Sequence, residues 1–139
     1  MTNRCLAFII KNQDPLTLPP DASVQHACQC MWERRVGAVL VTDGERLVGI
    51  FTGRDAVRAL AEGQPPAATP LSAVMTAKPD TIAPESTAIE ALRRMADCGY
   101  RHLPIVDAGK VMGIVSRGDF KGLELDRLED ETCLWERIA

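Results

Sequence analysis

The chain has 139 residues, of which 46% are hydrophobic and 25% charged. That is enough for one domain or two joined half-domains, and it excludes a disordered chain. A net charge of −3 and a pI near 5.4 provide no broad cationic surface, so nucleic acid is not an expected partner.

No apolar run reaches the roughly 20 residues that span a bilayer, and no basic segment followed by a cleavable apolar stretch opens the chain. A cytoplasmic protein without a membrane partner is expected. The five cysteines, Cys5, Cys28, Cys30, Cys98 and Cys133, are an odd number without a paired framework, which suits a reducing compartment. Cys28 and Cys30 fall about 200° apart on the helix expected there, so they do not clamp one metal, and no metal is expected.

The first expected element is a short strand at Leu16 to Leu18, behind Pro15. Ser23 then stands at a helix cap, and Val24, Ala27, Cys28 and Met31 follow at i, i+3, i+4, i+7 spacing, which makes an amphipathic helix. His26 on this helix is expected to face solvent, and Trp32, near its end, to serve an intersubunit or cap contact. Two short apolar runs, Ala38 to Val41 and Leu47 to Phe51, flank the turn Asp43-Gly44-Glu45 and read as paired strands. A second helix is expected from Arg54 to Glu62. Three prolines between Gly63 and Pro70 make a linker.

The same series then recurs. Asp80 to Ile82 is an expected strand behind Pro79. Thr87 with Glu90 forms a capping box, followed by the stripe Ala88, Ala91, Leu92 and Met95. Leu103 to Val106 and Val111 to Val115 flank Asp107-Ala108-Gly109, and a helix is expected from Gly118 onward. Beyond it, Leu125, Leu128, Thr132 and Trp135 at 3-4-3 spacing suggest a helical tail that either folds back or joins a dimer contact.

The recurrence is also one of residues. A shift of 64 positions matches Pro15, Thr17, Pro20, Ala27, Met31, Asp43, Gly49, Ile50 and Asp55 with identical residues, nine identities over 45 pairs, where chance would give roughly three. The expected architecture is therefore α/β (α+β): two β-α-β-β-α repeats packed about a pseudo-two-fold axis. Residues 7–62 form the first repeat, 63–70 the linker, 71–125 the second repeat and 126–139 the tail.

After each second hairpin strand the chain reads Gly-apolar-apolar-Ser/Thr-x-x-Asp, at 49–55 and 113–119. Two roles are open to this segment. Thr52 or Ser116 can cap a helix, with the Asp in the first turn where the helix dipole favours its charge. Alternatively the short carboxylate, present in both copies, can offer two acceptor oxygens to the paired hydroxyls of a ribose.

With these segments, the tract Val74-Met75-Thr76-Ala77-Lys78-Pro79-Asp80-Thr81-Ile82 and the tract Gly99-Tyr100-Arg101-His102-Leu103-Pro104-Ile105-Val106-Asp107, the chain resembles a tandem pair of CBS (cystathionine-β-synthase) domains, a Bateman module, over residues 7–125. The resemblance implies halves packed through their sheets, with two clefts that hold adenosine-containing ligands such as AMP, ADP, ATP, NAD or S-adenosylmethionine. By position, the first cleft would use Ser116 and Asp119 for ribose and Arg101 and His102 for phosphate. The segment Lys11 to Leu16 of the other half, with Lys11, Asn12, Asp14 and Leu16, would lie against adenine. The second would use Thr52 and Asp55 with Thr76, Lys78 and Asp80.

Repeat one has Gly37-Ala38 where repeat two has Arg101-His102, so the first cleft is the expected phosphate site. Plainer roles remain for both residues: a surface ion pair for Arg101, a packed or solvated ring for His102.

No Ser/His/Asp or Cys/His set and no Gly-x-x-x-x-Gly-Lys loop is present. The expectation is a stand-alone, non-catalytic homodimeric sensor that needs no cofactor, takes an adenine nucleotide as ligand and acts on a regulated protein in trans. The competing expectation is a protein-interaction or dimerisation module without bound nucleotide.

Overall fold

Two eleven-residue helices with apolar stripes each require an apolar partner, and each finds one in the hairpin that follows it in sequence. The computed structural model describes residues 4–120, a mixed α+β chain. Its contacts group into two units, one of residues 14–80 and 108–111, the other of residues 4–13, 81–107 and 112–120.

The 14–80 unit opens with β1 (Thr17–Leu18), α2 (Val24–Arg34), β2 (Ala38–Asp43), β3 (Arg46–Thr52) and α3 (Gly53–Ala61), following a short α1 (Leu6–Ile9) that belongs to the other unit. Strand β1 runs parallel to β2, and β2 pairs antiparallel with β3, Leu40 opposite Ile50. The Ser23 hydroxyl accepts the His26 N–H at 3.0 Å and starts α2. Val24, Ala27 and Met31 are buried with Val39, Val41, Phe51 and Ala59. Phe51 is fully enclosed, and burying such a side chain stabilises the fold by about 1.5–3 kcal/mol.

Two further elements of this unit differ from the expectation. A helical turn, α4 (Leu71–Val74), buries Leu71 and Val74 in the same core. A short strand that was not expected, β4 (Thr76–Ala77), pairs antiparallel with β3, Ala77 opposite Gly49 and Thr76 opposite Ile50. The strand expected at Asp80 to Ile82 is shortened, in the other unit, to a parallel bridge of Ile82 to Ile105, where the Ile82 N–H donates to the Pro104 carbonyl and the Ile82 carbonyl accepts the Val106 N–H, both at 3.0 Å.

The other unit contains α1, α5 (Ala88–Cys98), β5 (His102–Asp107) and β6 (Lys110–Ser116), whose first residues pair within the 14–80 unit, Lys110 with Arg46. Thr87 Oγ1 accepts the Glu90 N–H at 3.3 Å. Ala88, Ala91, Leu92 and Met95 pack on Leu103, Ile105 and Val115. Helix α1 was not foreseen. It is held by Leu6 N–H to the Ser86 carbonyl, Ala7 N–H to the Pro84 carbonyl and Ala88 N–H to the Arg4 carbonyl, and it adds Leu6 and Ile10 to the core of α5.

Helices α2 and α5, strands β2 and β5, and strands β3 and β6 each lie 64 residues apart at both ends. The sequence repeats and the contact units nevertheless divide the chain differently. The leading turn before the first repeat packs with the second repeat's helix, and the turn before the second packs with the first's. The helix expected from Gly118 onward is, as far as it is described, a 3-10 turn, Arg117–Asp119, with Phe120 extended. The remainder of that helix and the tail around Leu125, Leu128, Thr132 and Trp135 lie outside the described residues.

Candidate functional site

Both Gly-x-x-Ser/Thr-x-x-Asp segments fold alike. The chain leaves the last hairpin strand extended at Thr52 or Ser116 and turns at once, so the carboxylate three residues on reaches back to the cap residue's own N–H. Asp55 Oδ2 accepts the Thr52 N–H at 3.0 Å and the Thr52 hydroxyl at 3.2 Å. Asp119 Oδ2 accepts the Ser116 N–H at 2.7 Å and the Ser116 hydroxyl at 3.2 Å. The capping role is thus realised in both copies.

Beyond that shared turn the copies diverge. Asp55 is 8% exposed, and its Oδ1 receives the Thr76 hydroxyl at 3.4 Å and the Arg58 guanidinium at 3.5 Å. Both oxygens are therefore engaged by the chain itself. Asp119 is exposed. The residue that corresponds to Thr76 is Asn12, and the one that corresponds to Arg58 is Gly122, which has no side chain to offer.

Arg101 and His102 join Ser116 and Asp119 in one unit. The Arg101 carbonyl accepts the Arg117 N–H at 3.1 Å, which ties the start of β5 to the turn carrying Asp119. Half-burial of His102 pushes its pKa below the ordinary 6.5; the nearby Asp119 carboxylate raises it in part, and the Arg101 charge lowers it further. A neutral imidazole thus stands beside an exposed carboxylate and an exposed guanidinium.

Among the remaining expected site residues, Lys11 and Asn12 are exposed and belong to the unit of Ser116, although they were expected from the other half. Asp14 and Leu16 belong to the 14–80 unit. The Asp14 carbonyl accepts the Arg34 guanidinium, and Leu16 packs on the core while its carbonyl accepts the Leu40 N–H at 2.9 Å. Thr76 sits beside Asp55. Lys78 is exposed with a left-handed φ of 49°, and Asp80 is exposed. Among the described residues no group of three His, Cys, Asp or Glu side chains could hold a metal, and no helix is long and apolar enough to cross a membrane.

Within the 11–16 segment, Gln13 was given no role of its own, yet it stands at this site. The Gln13 carboxamide makes two hydrogen bonds to the backbone of Ile114, accepting its N–H at 2.6 Å and donating to its carbonyl at 2.7 Å. The available signal was the repeat itself, since Gln13 lies 64 positions before Ala77 and Ala77 covers the equivalent edge of β3.

A duplicated helix-hairpin unit that ends each copy on a Ser/Thr-x-x-Asp turn defines the class. A CBS domain family model matches residues 9–62 and 71–125, and the chain belongs to that family. It is 43% identical over 102 residues to the CBS domain-containing protein CBSCBSPB3 of Arabidopsis thaliana, covering 72% of this chain but only 18% of the length of that relative. It is 34% identical over 118 residues to the CBS domain-containing protein YhcV of Bacillus subtilis (strain 168), covering 84% of this chain and 81% of YhcV. Among solved structures, the CBS domain protein PAE2072 of Pyrobaculum aerophilum complexed with AMP matches with a TM-score of 0.82 at 22% identity, over 91% of this chain and 99% of that one. At that identity the likeness bears on the fold alone.

Proposed function

We propose that the protein is a regulatory, non-catalytic CBS pair that binds an adenosine-containing nucleotide at the Arg101, His102, Ser116 and Asp119 surface. Asp119 carries the reading: its carboxylate is fixed by Ser116, exposed, and set in one unit with a guanidinium and an imidazole suited to phosphate. The ligand class comes from the family resemblance, and PAE2072, which shares the fold, is a complex with AMP. Asp55, with both oxygens engaged, makes the Thr52 surface the poorer site. A bound nucleotide would favour one arrangement of the module to the extent that its affinities for the arrangements differ, and a protein acting in trans would respond to that change.

Calorimetric titration with AMP, ADP, ATP, NAD and S-adenosylmethionine tests this. Losing two charge-assisted hydrogen bonds of about 1.5 kcal/mol each, Asp119→Ala should weaken the best ligand roughly 100-fold. Asp55→Ala should leave affinity within about twofold and instead lower unfolding stability by about 2–3 kcal/mol, because it strips partners from Thr52, Thr76 and Arg58. Unchanged affinity in Asp119→Ala would remove the proposal's basis.

A homodimer is part of the same proposal. Trp32 on α2 is 85% exposed, and Val57 and Leu60 on α3 are 67% and 62% exposed. Leu60 also lines, with Cys28, Ala56 and Pro66, a groove of about 350 Å³. Exposed apolar surface of this kind marks an interaction face, and it also favours the second reading, an assembly module without nucleotide.

A further inference from the structure

The edge of β6 at Ile114 is closed by a side chain where the matching edge of β3 is closed by a strand. In the 14–80 unit, Ile50 pairs with Thr76 and Gly49 with Ala77 through the main chain. At Ile114 the Gln13 carboxamide supplies an acceptor to the N–H at 2.6 Å and a donor to the carbonyl at 2.7 Å, reproducing with one amide what a neighbouring strand provides. Close approach depends on Gly113, where a Cβ would stand 2.6 Å from Gln13 Oε1 and 3.0 Å from Ile10. Gln13 is itself exposed, so water can replace its contacts and no packing locks it in place.

A primary carboxamide carries its acceptor oxygen and its NH₂ donor on one carbon. The six-position of adenine has the same pattern, with ring N1 as acceptor beside the exocyclic amine. We propose that Gln13 is an internal stand-in for a nucleobase edge. Its amide occupies the Ile114 backbone pair in the free protein, and an adenine nucleotide must displace it to dock there. The proposal rests on the reading of an adenine nucleotide as ligand and adds to it a self-contact that sets the apparent affinity. A binding-competent state populated only when Gln13 swings away reduces affinity by the fraction of time the edge is open.

The test compares the full chain with its Gln13→Ala variant, probed with AMP and with purine riboside 5′-monophosphate, which lacks the six-amino group. Ligand-free Gln13→Ala should exchange the Ile114 amide hydrogen faster than the parent and bind AMP about tenfold tighter, since two neutral hydrogen bonds no longer compete, while the deaminated analogue, lacking the donor for the Ile114 carbonyl, should bind more weakly than AMP to both proteins. Equal AMP affinity in the two proteins would overturn the competition while leaving the ligand reading intact. Weaker AMP binding by the variant would make Gln13 a ligand contact, and an analogue that binds the variant as tightly as AMP would show that the six-amino group does not meet the Ile114 carbonyl; either result defeats the proposal. If neither protein binds AMP, the ligand reading fails and the proposal with it, an outcome told apart because only there does a change in Ile114 exchange come without any binding.

Discussion

Two aspartates at equivalent positions show how far surroundings divide identical chemistry. Asp55 is enclosed and anchored by Thr52, Thr76 and Arg58, whereas Asp119 meets solvent beside His102. Burial penalises the His102 imidazolium, so the folded pKa lies below the ordinary 6.5 and protonation favours the unfolded chain. The stability from keeping the ring neutral is therefore complete above about pH 6.5 and is lost as the pH falls through the depressed folded value. Asp119 opposes the shift, so Asp119→Ala should move the His102 ring titration, followed by NMR, further down. A titration that rises or stays put in that variant would show that the carboxylate does not face the ring.

Equivalent helices make a comparison of ends possible. Helix α5 stops on Gly99 with φ 78°, while α2 stops 64 residues earlier on Arg35 with φ 55°. A side chain in the left-handed region costs roughly 1–2 kcal/mol, and the freer unfolded chain of a glycine returns about 0.4–1 of that. Arg35→Gly should accordingly stabilise the protein by about 0.5–1 kcal/mol in urea unfolding, and any loss of stability would contradict the argument. Elements of this length were legible in the sequence because periodicity and the 64-residue offset pointed to the same places. The four-residue turns at Leu6 and Leu71 were not, since a single turn has no period to display. The strand at Thr76 escaped because its partner on β3, rather than the nearby Pro79, decided where pairing falls. The Gln13 contact spans 101 positions and leaves no local trace. The Ser/Thr-x-x-Asp turns were visible down to the residue, but that Asp55 would be sealed depended on Thr76 and Arg58, which lie outside the motif.

For the whole molecule, the proposed homodimer predicts a definite hydrodynamic result. Sedimentation equilibrium should give twice the chain's 15.2 kDa, and Trp32→Asp should shift the protein towards the monomer with little change in helix content, because an 85% exposed ring contributes little to its own fold. A monomeric parent protein would end the dimer proposal and leave the nucleotide site untouched.

The traded leading turns decide where the chain can be divided. Leu6 and Ile10 complete the core of the later copy, and Leu71 and Val74 that of the earlier one, so the stretch of gene that was duplicated and the stretch of polypeptide that closes a core are offset from each other. Each core is completed by a turn that precedes the other copy in sequence, so a chain cut within the 63–70 linker would part Leu71 and Val74 from the core that holds Phe51.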